Sequence, residues 1–229
     1  MAEALGLFAL GLVLLALGGD SLVKGVSGLA QHLGLRPFVA GLLLVAFGTS
    51  VPELAVNARA VYEGQPHLAL GNAVGSNIVN LGLTLGLAAL AAPLLLRARM
   101  GVPLLVLLAV ATFALMAFGL DGYAGRVEGA VLLAGFIALG VFLLRQGGRE
   151  SGEVQAEIAA FATTRTGLGL NLFRLVVAIA LLWFGARWVV AGGLGLGQAF
   201  GLTPLMAGLL PVAIGTALPE VAPAHPAAR

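Results

Sequence analysis

Long apolar runs separated by short polar or glycine–proline joints succeed one another along this chain. They lie near residues 4–30, 37–61, 67–96, 101–120, 127–145 and 168–199, and a seventh opens at about residue 203 and is cut short. Crossing the hydrocarbon core of a bilayer as helix takes about 20 consecutive apolar residues. Backbone in lipid must satisfy its own hydrogen bonds, so helix is the expected element throughout. The pattern predicts an all-α polytopic membrane protein with about six to seven spans. The one clearly polar connection is "RQGGRESGEVQAEIAAFATTRTG", Arg145 to Gly167. The opening "MAEALGLFAL" lacks a positive leader region, and its apolar run continues past a cleavable length, so it reads as an uncleaved first span.

Composition supports the same class. Hydrophobic residues make up 60% of the 229 and charged residues 10%, whereas soluble domains sit at about 45–50% and about 25%. There is no cysteine, which excludes disulfides and thiolate metal sites. The formal charge is only +2, from scattered arginines without a basic cluster, so nucleic acid is not an expected partner. Arginine placement predicts the orientation. Joints on one side carry Arg36, Arg97, Arg99, Arg145, Arg149, Arg165 and Arg174, while the other side carries Arg59 and Arg126. The richer side is expected to be cytoplasmic, with the N-terminus outside, in an inner (plasma) membrane of prokaryotic type.

The apolar runs contain a repeat. Gly34–Glu53, "GLRPFVAGLLLVAFGTSVPE", aligns with Gly201–Glu220, "GLTPLMAGLLPVAIGTALPE", at a shift of 167 residues, with 13 of 20 positions identical. Five spans separate equivalent points, and an odd number inverts the second copy. Substrate in such inverted repeats sits near the middle of the bilayer, between the copies. The expected layout is a first repeat over 1–145, a cytoplasmic loop over 146–167, the start of a second repeat over 168–222, and an atypical tail over 223–229.

Each copy places a glutamate, Glu53 or Glu220, in an otherwise lipid-compatible run. Burying a charge there costs at least about 2.5–3.5 kcal/mol, which points to function. Pro52 removes a backbone donor and clashes with the carbonyl of Gly48, and Val51 before it is pushed from helical geometry. A break is therefore expected around Gly48 to Pro52, releasing carbonyl oxygens beside Thr49, Ser50 and Glu53. The next span carries "GNAVGSNIVN", in which Ser76 and Asn80 share a helical face. Gly71 and Gly75 in the same stretch permit close helix contact. Carboxylate, hydroxyl, amide and carbonyl oxygens without imidazole or thiolate suit hard cations such as Ca²⁺ and Na⁺. Two glutamates brought together would balance one Ca²⁺ or a small group of Na⁺ ions.

"GTSVPEL", "GNAVGSNIVN" and the later "GTALPE" resemble the membrane domain of the sodium/calcium exchangers, in the cation/Ca²⁺ antiporter superfamily. The first repeat matches over roughly residues 17–90 and the second from about 185 to 220. The resemblance implies ten helices, five per inverted repeat, the second being incomplete here. It implies Ca²⁺/Na⁺ antiport by alternating access, with cations bound transiently as substrates and no resident cofactor. By motif position, it implies ligation by Thr49, Ser50, Glu53, Ser76 and Asn80, by Thr216 and Glu220, and by the carbonyls of Ala46 and Ala213. Ala217 stands where the family normally has Ser, so one hydroxyl is lost. The closing "VAPAHPAAR" does not resemble a continuing span and reads as a premature, frameshifted or deliberately shortened end. A proton-coupled antiporter of the same fold and an inactive remnant are the alternatives; an intramembrane enzyme lacks any nucleophile–base pair. The counter-ion and the oligomeric state are left open. Asp20 and Lys24 have ion-pair spacing, Arg187 is placed to snorkel to the interface, and His32, His67 and His225 show no ligand spacing.

Overall fold

A computed structural model of the chain describes residues 1–48, 50–91, 101–122, 125–146, 152–160, 162 and 166–224. Among them every regular element is helical. Four helices are long and apolar enough to cross a membrane: Ala2–His32, Pro66–Leu90, Arg126–Arg145 and Leu168–Ala199. Two shorter apolar helices, Leu104–Phe118 and Pro204–Leu218, accompany them. Large apolar side chains such as Leu10, Phe113, Leu133 and Val176 are exposed along these helices. That is the outer surface expected of a protein solvated by acyl chains.

The scaffold is a pair of helices, α1 (Ala2–His32) and α9 (Leu168–Ala199). At about 1.5 Å per residue each is longer than a bilayer core is thick, so both must tilt or project. They are antiparallel, because Phe8 of α1 meets Gly192 of α9 while Gly25 meets Leu175. Glycines on both helices form the seam. A Cβ on Gly18 would lie 3.0 Å from Leu182, and one on Gly185 would lie 2.9 Å from Leu15. Under the 167-residue shift these are the same contact seen from the two sides. The pairs Gly25–Leu175 with Phe8–Gly192, and Gly28–Asn171 with Ala4–Gly195, reciprocate in the same way. Antiparallel helices with reciprocal contacts are what an inverted relation between the two segments requires. Leu15, Val189 and Val190 are fully buried along this contact.

The run read as one span over 37–61 is interrupted. Helix α2 (Pro37–Leu43) passes into a π-helical turn, Leu44–Gly48, and α3 (Val51–Tyr62) begins after Ser50. Pro52 sits in the first turn of α3, where its missing donor costs no helical bond. The next span continues through α4 (Pro66–Val79), a second π turn (Asn80–Thr84) and α5 (Leu85–Ala91). α6 (Gly101–Phe118) and α7 (Arg126–Gln146) are mostly exposed, with Phe136 of α7 edge-to-face on Phe47 at 4.9 Å.

The connection read as a loop over 146–167 contains a helix, α8 (Gly152–Ala160), packed against α2. Polarity masked it, but Ile158 and Ala159 lie directly against Gly41, and Ala162 is buried with Ala30, Ala40 and Leu44. Gln31 donates to the Ala162 carbonyl, and His32 lies 3.2 Å from the Thr166 carbonyl, so His32 is tied to this connection. Asp20 and Lys24 form the expected exposed pair at 2.6 Å. The second copy comprises α10 (Pro204–Ala207), a third π turn (Gly208–Val212) and α11 (Ala213–Ala224). It is not interrupted like the first. Pro211, where the first copy has Leu44, falls inside the π turn, whose looser bonding accommodates a residue with no donor. Of the tail, 225–229 lies outside the described residues.

Candidate ion-binding site

Glu53 occupies the third position of α3, with only 7% of its surface exposed. The unpaired amides and positive end of a helix favour a carboxylate there. The break before α3 thus creates the environment that makes a buried Glu53 tolerable. Upstream, the backbone of Ala46 lies within the π turn, whose altered pairing shifts carbonyls from their usual partners. Ser50 is exposed at the turn, with φ −89° and ψ 6°, and makes no side-chain cap. Thr49 lies outside the described residues, as do the side chains of Ala46 and Glu220.

Helix α4 packs beside α3 and presents the second polar set. Ser76 is buried at 7% exposure, with its hydroxyl 3.3 Å from the Ala73 carbonyl. Asn80 is half-buried at the opening of the second π turn and accepts a 3.4 Å hydrogen bond from Thr84. The structure therefore sets Ser76 and Asn80 on the helix neighbouring Glu53.

The second copy closes on the same helix. α10, its π turn and α11 all pack on α4, and α11 also touches α3. Glycines permit the approach: a Cβ on Gly75 would lie 2.5 Å from the Leu209 carbonyl oxygen and 2.6 Å from the Ala213 Cβ. A Cβ on Gly208 would lie 2.8 Å from the Asn72 backbone nitrogen. Ala213 and Ala217 are fully buried, and Thr216 is 2% exposed. The Thr216 hydroxyl stands 3.3 Å from Asn72 Oδ1, 3.1 Å from the Val212 carbonyl and 3.3 Å from the Ala213 carbonyl. Oxygen atoms from the two copies thus converge across α4.

Two residues here were not singled out from sequence. Asn72 is fully buried, and its Nδ2 donates to Asn57 Oδ1 at 2.8 Å. Both lie at spacings that mark them. Asn57 is one turn beyond Glu53, and Asn72 one turn before Ser76, so each extends a polar face already recognised. Among the described residues no cluster of three His, Cys, Asp or Glu side chains exists. The donor set is dominated by neutral oxygens.

The family model described as sodium/calcium exchanger protein matches residues 3–145 and 170–229. The chain belongs to this family. It is a family of transporters rather than of catalysts, and its members are integral membrane proteins. The chain is 35% identical over 233 residues to the inner membrane protein YrbG of Escherichia coli, covering 98% of this chain and 70% of that one. It is 51% identical over 85 residues to the sodium/calcium exchanger MaX1 of Methanosarcina acetivorans, a match covering 37% of this chain and 24% of that one. Its fold is similar to the solved sodium/calcium exchanger from Methanococcus jannaschii, with a TM-score of 0.55 at 31% identity. That likeness covers 99% of this chain and 73% of the other.

Proposed function

We propose that the chain takes part in exchange of Ca²⁺ for Na⁺ by alternating access, with both cations bound at one site between the two copies. The observation that carries this reading is the approach of Thr216 to α4. It places second-copy oxygens beside the helix bearing Ser76 and Asn80, which itself neighbours the buried Glu53. The ligands are Thr49, Ser50 and Glu53 from the first copy with the Ala46 carbonyl, Ser76 and Asn80 from α4, and Thr216, Glu220 and the Ala213 carbonyl from the second. Glu53 supplies charge at a helix N-terminus; the hydroxyl and carbonyl oxygens replace part of the hydration shell. Neutral oxygens around few carboxylates form a site that either Ca²⁺ or Na⁺ can occupy, and competition for it produces exchange.

Vesicles reconstituted with the chain and loaded with Na⁺ test the coupling. Uptake of ⁴⁵Ca²⁺ is measured against an outward Na⁺ gradient, a pH gradient of equal size, or neither. Uptake driven by Na⁺ alone supports the proposal. Uptake driven by the pH gradient and indifferent to Na⁺ replaces it with proton coupling. No uptake under any gradient, together with Ca²⁺ binding that Na⁺ displaces, leaves the site assigned and transport dependent on further polypeptide.

A further inference from the structure

We infer that Asn72 is a positioning residue for the cation site: its Oδ1 accepts a hydrogen bond from the Thr216 hydroxyl, so that Thr216 and the Ala213 carbonyl turn their lone pairs to the ion. The inference rests on the assignment of those two groups as ligands. A threonine hydroxyl has one proton and two lone pairs. Three acceptors surround that of Thr216: Asn72 Oδ1 and the carbonyls of Val212 and Ala213. If the proton points to Ala213, it occupies the carbonyl that is to face the cation and sets a positive hydrogen in the same region. If it points to Val212, the hydroxyl stays bonded within its own helix and nothing ties it to the first copy. If it points to Asn72, both oxygens are released and the two copies are joined.

The Asn72 amide is bonded at both ends. Its Nδ2 donates to Asn57 Oδ1 at 2.8 Å, and its oxygen lies 3.3 Å from the Thr216 hydroxyl. A flipped amide would set NH₂ against the hydroxyl and turn the proton back onto the carbonyls of its own helix. The amide has little freedom to wander. Asn72 is fully buried, and its backbone is pressed against Gly208 at a distance that admits no side chain. Asn57, Asn72 and Thr216 therefore form one polar chain from α3 through α4 to α11, joining the copies beside the ligands. Partners of this kind, which orient a ligand without touching the ion, alter metal affinity by about 10–100-fold when removed.

The test is equilibrium ⁴⁵Ca²⁺ binding to the full chain in lipid nanodiscs, with Na⁺ as competitor. Asn72→Leu is expected to weaken Ca²⁺ binding about tenfold or more, and to add nothing in a Thr216→Val background. Asn72→Asp keeps an acceptor toward Thr216, so it restores Ca²⁺ binding relative to Asn72→Leu and shifts the competition toward Ca²⁺, which a packing role alone would not do. Where Asn72→Leu fails to fold, Asn57→Leu unlocks the amide while leaving Asn72 in place. It too should weaken binding in the native chain and not beside Thr216→Val. Independent, multiplicative losses, or Asn72→Asp behaving like Asn72→Leu, overturn the inference. Loss with Thr216→Val but none with Asn72→Leu and none with Asn57→Leu also overturns it, leaving the ligand assignment standing. No loss with Thr216→Val removes that assignment and the inference with it.

Discussion

Adding one methyl group at Gly75 should dismantle the junction between the copies. The built Cβ would lie 2.5 Å from the Leu209 oxygen, 2.6 Å from the Ala213 Cβ and 2.9 Å from the Leu209 Cα, where ordinary contact begins at 3.4 Å. Two of these three atoms belong to backbone, which cannot swing aside as a side chain does. The second copy must therefore retreat from α4 by roughly 1 Å, a gap that forfeits about a quarter to a half of each contact's attraction. Overpacking of this kind costs about 1–3 kcal/mol. The retreat also stretches the 3.3 Å bond between Thr216 and Asn72 past hydrogen-bonding range. Gly75→Ala should then lower the thermal midpoint in detergent and weaken Ca²⁺ binding by about tenfold or more. Gly86→Ala is the control, since a Cβ there meets nothing within 4 Å. It should stabilise the protein by about 0.5–1 kcal/mol through helix propensity and leave binding unchanged. Equal stabilities and equal Ca²⁺ affinities for the two variants would refute the claim that close backbone approach at Gly75 holds the site together.

Other expectations follow from the same structure. Glu53→Gln keeps shape and one oxygen but deletes a charge that acts in a medium of low dielectric, so Ca²⁺ binding should be abolished while membrane insertion, read by protease protection, stays intact. Gly192→Ala should destabilise more than Gly25→Ala although the two are repeat equivalents. The nearest atoms to the first are backbone of Phe8 and Ala4, whereas the nearest to the second belong to the Leu175 side chain; thermal melts of the two proteins decide it. Arg59 lies over Tyr62 at 5.4 Å and over Trp183 at 5.0 Å, and pairs with Glu63 at 2.6 Å. Arg59→Ala should cost about 0.5–2 kcal/mol and change Trp183 fluorescence; an unchanged spectrum would mean the stacking is not populated in the membrane.

Sequence patterning carried far where a residue type has one structural meaning. Pro52 after Gly48 marked the interruption before α3 correctly, because a proline without its donor has few places to sit. The 31- and 32-residue helices were visible as apolar runs, since lipid admits little else. What stayed hidden depended on partners distant in the chain. The helix over Gly152–Ala160 looked like polar linker until Gly41 supplied a surface for Ile158. Asn57 and Asn72 extend polar faces visible in the sequence, but the contact that gives Asn72 its place comes from Thr216, 144 positions away. The π turns could not be read from Leu44–Gly48 or Asn80–Thr84, whose residue types suit an α-helix as well.

The glycine seam between α1 and α9 has a bearing on ancestry. An interface that repeats itself on exchange of its two halves can be made by a single sequence meeting an identical copy, provided the two insert in opposite directions. A half-length forebear with dual orientation in the bilayer would already have possessed this surface, and tandem fusion would have preserved it without any new complementarity. After such a fusion each substitution would alter only one of two formerly identical places. The present chain is unequal at one end of the seam: Ala4 rests on Gly195, whereas its counterpart Asn171 rests on Gly28 and exchanges hydrogen bonds with Thr166. The seam is reciprocal where backbones touch and unequal at its end, where Asn171 alone anchors the connection through Thr166.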